Sequence, residues 1–274
     1  MRSVYGDTKM PLTSLKNGDV RQLREDLYMY TNQIVNLFFA GNRGLWVLVD
    51  AGMPGSGEEI AEIAETLFGI GARPDAIVLT HGHFDHVGSL LRLLERWPVP
   101  VYAHERELPY LTGQRDYPAP DPSVEGGLVT ELSAFFPSRG IDLGGRVSAL
   151  PADGRVPGMP GWRWVHTPGH TPGHVSLFRD GDRTLIAGDA FVTVKQESLY
   201  KVITQQKEIS GPPRYFTTDW NAAEASVRLL HGLRPDIAAT GHGQPMEGAE
   251  LTEALDRITR NFRSLAIPDY GRYV

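Results

Sequence analysis

Four strand-like runs in this chain end directly in residues that bind metals: AIVLTHGHFDH, WRWVHTPGH, TLIAGD and IAATGHG. The strands of one sheet can deliver their ends to a common edge, so such endings converge from distant parts of a chain while the sheet holds their geometry. A fold that suits this chain therefore lines up several strand ends. The candidate ligands are His81, His83, Asp85, His86, His170, Asp189 and His242.

Between these endings the pattern is mixed α/β. Apolar period and capping residues predict helices over 56–71, where Ser56 and Glu59 form a capping-box pattern, and over 87–97, closed by Pro98. Further helices are expected over 221–230 and around Leu251, Leu255, Ile258 and Phe262. Short apolar runs predict strands at 45–49, 76–79, 99–102, 162–165, 175–178, 184–187 and 237–239. Arg179-Asp180-Gly181-Asp182 separates two of them as a hairpin turn, so part of the sheet structure is antiparallel.

The chain reads as a single domain over 1–274. Residues 1–25 lack clear period and are expected to form an arm or a first strand. Residues 109–160 are rich in Pro and Gly around Leu132, Phe135 and Phe136 and read as a partly ordered insertion near the active site. Tyr117, Phe135 and Phe136 are aromatic side chains that either cap a cleft or bury this insertion.

Composition narrows the partners. With 41% hydrophobic and 22% charged residues in 274, the chain has the make-up of an ordinary globular protein. A net charge of −6 supplies no basic field for phosphates, which argues against nucleic acid as a partner. The absence of cysteine excludes disulfides, thiolate ligands and a cysteine nucleophile. The N-terminal MRSVYGDTKM has no apolar stretch of the signal-peptide kind, and apolar runs such as LWVLV are far too short to span a membrane. The expectation is a cytoplasmic protein with no membrane partner, acting on a small molecule, with a homodimer left open.

Imidazoles and carboxylates without thiolate suit zinc, iron, manganese or cobalt, and seven such side chains exceed the three or four that one catalytic zinc takes from protein. Two divalent ions fit the number, zinc first, with iron or manganese as alternatives. The remaining histidines His104, His166 and His231 read as structural.

The motifs THGHFDH, TPGH at 167–170, GDA at 188–190 and GHG at 241–243, with Asp50-Ala51-Gly52 ahead of them, resemble the metallo-β-lactamase-fold hydrolases. They occur in the family's order from about residue 30 to 250. The resemblance implies a four-layer αβ/βα sandwich, two mixed β-sheets packed face to face with helices outside. It assigns His81, His83 and His170 to a first metal, Asp85, His86 and His242 to a second, and Asp189 to the bridge. It also implies that Asp50 holds a ligand through hydrogen bonds, and that Asp85 orients the nucleophile and passes on its proton. His174, in TPGHTPGH, reads either as structural or as a hydrogen-bonding support of a ligand. Lys195 and Tyr200, soon after the bridge, are candidate substrate contacts.

Two ions at such a site hold a bridging hydroxide that attacks a carbonyl or phosphoryl centre. The bridging Asp189 separates this chain from true β-lactamases. Its GHGQP differs from the GHEY usual in hydroxyacylglutathione hydrolases (the glyoxalase II type), and its DAFV lacks the early tyrosine of acyl-homoserine lactonases. The reading is a binuclear metal-dependent hydrolase of a small ester, lactone or thioester. The alternatives are a mononuclear-iron sulfur (persulfide) dioxygenase and a phosphodiesterase of the same fold.

Overall fold

Strands form in this computed structural model where β-branched and aromatic residues run between turn signals. The structure describes Tyr5 and residues 9–274. Within these the chain divides into two compact units, one of Tyr5 with residues 9–117 and 137–160, the other of residues 118–136 and 161–274.

The first unit holds strands β1 (Val20–Arg24), β2 (Leu27–Asn32), β3 (Val35–Asn42), β4 (Leu45–Val49), β5 (Ala76–Val78), β6 (Val101–Ala103) and β7 (Val147–Ala149). They line up in sequence order. β1 to β4 pair antiparallel through tight connections, and β4 to β7 pair parallel, so the sheet is mixed. Four helices accompany it: α1 (Gly57–Phe68), α2 (Phe84–Val87), α3 (Leu90–Arg96) and α4 (Leu108–Leu111).

Its core is aromatic. The Trp46 ring stacks on Phe68 at 4.7 Å and meets the edge of Trp97 at 5.7 Å. Burying a large side chain of this kind contributes about 1.5–3 kcal/mol, so β4 is held against α1 and α3 by its own aromatic residue.

The second unit contains α5 (Leu128–Leu132), strands β8 (Trp162–His166), β9 (Val175–Arg179), β10 (Thr184–Gly188), β11 (Ile237–Thr240) and β12 (Met246–Glu247), and helices α6 (Leu199–Thr204), α7 (Trp220–Gly232), α8 (Gly248–Arg260) and α9 (Phe262–Leu265). The sheet order is β12-β11-β10-β9-β8, with only β10 and β11 parallel. β9 and β10 form the expected hairpin. Val227 and Leu230 of α7 join Leu251, Leu255 and Ile258 of α8 in a core with Val165, Leu185 and Ala238 from the sheet.

Several local expectations are corrected. The helix predicted over 87–97 is two pieces, because the Gly88 N–H donates to the Gly52 carbonyl at 2.9 Å and the Ser89 hydroxyl to the Met53 carbonyl at 2.6 Å. Both bonds draw the chain out of the helical ladder between α2 and α3. The capping box of α1 does not close: Ser56 makes no side-chain cap, and Glu59 instead accepts from Tyr30 and Lys9. α7 starts at Trp220, one residue before the expected 221, because Asp219 caps it, its carboxylate accepting from the Ala222 N–H at 2.9 Å. Of the segment expected to be an arm or first strand, residues 20–24 are β1, and residues 1–4 and 6–8 lie outside the described part.

Candidate metal centre

Every candidate ligand follows the C-terminal end of a strand. β5 ends at Val78 shortly before His81, β8 at His166 before His170, β10 at Gly188 beside Asp189, and β11 at Thr240 before His242. All seven side chains are buried.

In the first unit, His81 and His83 lie on the turn leading into α2, and Asp85 and His86 on α2 itself. The His81 and His83 rings are 4.8 Å apart and nearly perpendicular, and the His81 and His86 rings are 4.2 Å apart. Asp50, fully buried on the loop after β4, organises two of these rings. Its Oδ1 accepts from the Thr80 N–H and its Oδ2 from the Thr80 hydroxyl, each at 2.8 Å, and Oδ2 also accepts from His86 Nδ1 at 2.8 Å. Since the Thr80 hydroxyl proton goes to Asp50, its oxygen is the acceptor for His81 Nδ1 at 3.1 Å. Both imidazoles thereby carry their proton on Nδ1 and offer Nε2 to a metal, the tautomer that ligation requires.

In the second unit, Asp189 stands between two histidines. Its Oδ2 is 3.3 Å from His242 Nε2 and 3.5 Å from His170 Nε2. Zinc bonds of about 2.0–2.1 Å at the tetrahedral angle separate two ligand atoms by about 3.4 Å, so these spacings suit side chains that share an ion. One carboxylate oxygen thus lies within 3.5 Å of both rings. His170 is oriented in the same way as His81: the Thr217 hydroxyl donates to the Pro213 carbonyl at 2.8 Å and accepts from His170 Nδ1 at 3.3 Å.

His174 holds Asp189 from behind. Its Nε2 accepts the Asp189 N–H at 2.8 Å, so its proton is on Nδ1 and goes to the Thr167 hydroxyl at 2.9 Å. Thr167 in turn bonds Ser176, which donates to the Ala187 carbonyl at 2.8 Å. Both ring nitrogens of His174 are thus engaged in hydrogen bonds.

The other histidines serve the scaffold. His104 caps the turn 105–107 by accepting the Arg106 N–H, His231 pairs with Asp256 at 2.7 Å, and His166 Nε2 bonds the Pro172 carbonyl at 2.9 Å.

The segment after Asp189 runs beside the His242 loop, where the Thr193 N–H donates to the His242 carbonyl at 3.1 Å. Two residues on, half-buried Lys195 lines a cavity of about 550 Å³ together with Glu125, Gly127, Glu197 and Arg214. Tyr200 is 70% exposed on α6. Of the three aromatics in or beside the insertion, Tyr117 is buried, Phe136 packs against Tyr215 and Phe216, and Phe135 is exposed. Glu107, a fully buried carboxylate under the His81-His83 turn, has no signature in the sequence beyond lying in the same stretch as Tyr117.

No helix among the described residues is long and apolar enough to cross a membrane.

Comparison with known proteins agrees with this arrangement. A family model described as the metallo-beta-lactamase superfamily matches residues 30–242. A protein of Bacillus subtilis (strain 168) named "Probable metallo-hydrolase YflN" is 47% identical over 260 residues, covering 92% of this chain and 98% of its own. The hydroxyacylglutathione hydrolase GloC of Haemophilus influenzae is 29% identical over 113 residues, 41% of this chain and 48% of its own. Among solved structures, TTHA1623 in a di-iron-bound form superimposes with a TM-score of 0.55 at 24% identity, covering 86% of this chain and 96% of that one. These likenesses show an α/β fold with two mixed sheets and helices. The family match takes in both groups of buried histidines and aspartates, and this chain belongs to the metallo-β-lactamase superfamily.

Proposed function

We propose that the chain is a metallo-hydrolase of small carbonyl esters, lactones or thioesters, with His81, His83, Asp85 and His86 of the first unit and His170, Asp189 and His242 of the second as its ligands for divalent metal. The observation that carries the reading is Asp189, whose single Oδ2 lies 3.3 and 3.5 Å from the metal-facing nitrogens of two histidines. Membership of the superfamily and the metallo-hydrolase name of the 47% identical relative support it. The donor set is nitrogen and oxygen only, which suits zinc, and the di-iron form of TTHA1623 makes iron the competitor to test.

When bound, the ions supply an activated water near neutral pH and polarise the bond to be cleaved. The protein's own part is orientation and proton handling. Asp50 and Thr80 present His86 and His81, while Thr217 presents His170. Asp85, at 7% exposure the most open of the seven, is placed to orient the nucleophile and to exchange a proton with solvent or leaving group. Lys195 and its cavity, two residues from the contact with His242, are where substrate polar groups would be received.

The net charge of −6 supports uncharged or weakly charged substrates over polyanions. The deciding experiment is Asp189→Ala assayed for metal content and for turnover on matched ester, lactone and thioester panels. Loss of turnover on every substrate the parent cleaves, with the fold intact by circular dichroism, is expected. Full activity of the variant would overturn the bridge.

A further inference from the structure

Gly82, the residue between the first two ligand histidines, has its only backbone donor in the protein interior. Its N–H points at two acceptors at once, Glu107 Oε2 at 3.1 Å and the Tyr117 hydroxyl at 3.0 Å. The Tyr117 hydroxyl proton goes to the same Glu107 oxygen. A buried carboxylate is costly unless donors satisfy it, and here two converge on one oxygen of a residue with no exposed surface.

The clamp is fitted to the turn. A Cβ at position 82 would stand 2.5 Å from the Tyr117 hydroxyl and 2.9 Å from Leu111, so glycine is required there by what lies beneath it. Tyr117 reaches the ligands by a second route: its ring packs against His83 with centroids 4.6 Å apart, and Tyr110 stacks on its other face at 4.1 Å. The pair therefore touches the backbone between His81 and His83 and the side chain of His83.

We propose that Glu107 and Tyr117 are positioning residues for the ion held by His81 and His83, fixing the turn so that both imidazoles keep the separation and near-perpendicular setting of ligands. The inference rests on the reading of these histidines as ligands.

The test is the zinc dissociation constant, measured by competition with a chromophoric chelator on the full chain and on E107Q and Y117F, with the visible spectrum of the cobalt-substituted proteins as a second readout. Both substitutions keep size and shape. Outer partners of metal ligands typically change affinity by about 10- to 100-fold, and a loss of that order at one ion, with a shifted cobalt spectrum, is expected in each variant. Unchanged affinity and spectrum, with only a lower melting temperature, would show a purely structural role and sink the proposal. Should E107Q not fold, Y117F tests the same clamp by removing one hydroxyl. Failure of the parent chain to bind zinc or cobalt would instead refute the ligand assignment itself.

Discussion

The Asp50 carboxylate accepts a hydrogen bond from His86 Nδ1 at 2.8 Å and, through the Thr80 hydroxyl, sets the tautomer of His81 as well. One buried charge thus orients two imidazoles. Asp50 itself has a φ of +63°, in the left-handed region that Asn and Asp tolerate better than other side chains.

That backbone makes Asp50→Asn a clean probe, since asparagine accepts the conformation while its amide, with one oxygen and a donor NH2, cannot accept all three bonds from His86 and Thr80. Metal affinity should fall by about 10- to 100-fold with a smaller change in stability. Equilibrium dialysis against graded zinc would measure it, and an affinity equal to the parent's would disprove the orienting role.

Gly169, beside the candidate ligand His170, has a φ of +133°, and a Cβ there would lie 2.5 Å from the Ala223 Cα in α7. Gly169→Ala must strain the loop or push α7 away, so lower thermal stability and reduced metal content are expected together. Normal metal content in a stable variant would show that the loop can yield.

Chelation should reverse cleanly. Removing divalent ions is expected to abolish hydrolysis and to lower the melting temperature, since an ion that binds only the folded state stabilises it by mass action. Readdition of zinc, iron and manganese separately, with activity followed for each, ranks the metals. Undiminished activity after exhaustive chelation would contradict the metal-centre reading.

The Arg214 guanidinium beside Glu125 holds that carboxyl below its ordinary value of 4.5, despite some opposing desolvation. A depressed folded-state pKa means the pair stabilises the fold fully above about pH 4.5 and loses this as pH falls through the folded value. Glu125→Gln should lower the melting temperature by on the order of a few degrees at pH 7. The gap to the parent should close below pH 4.5. A gap constant from pH 7 to 3 would rule out this pair as the cause.

The seven candidate ligands were legible in the sequence because each follows soon after an apolar run, and a strand ends where its run ends. Helices α1, α7 and α8 were equally legible, since amphipathic period is a local property. Strands β2 and β3 escaped because β3 is buried on both faces over most of its length and shows no alternation, with Asn36 enclosed among its apolar residues. The break between α2 and α3 escaped because it depends on carbonyls at Gly52 and Met53, far back in the chain.

What only the tertiary structure decided is how the ligands are held. Residue types alone named His81 and His83 as candidate metal ligands, but the partners of Gly82 between them lie 25 and 35 residues downstream. Neither period nor capping chemistry reaches that far, because both record contacts within about one helical turn or one strand pair. The tautomers of His81, His86 and His170 likewise follow from hydroxyl and carboxylate acceptors brought up by folding, and a hydrogen bond's direction exists only once both of its ends are in place.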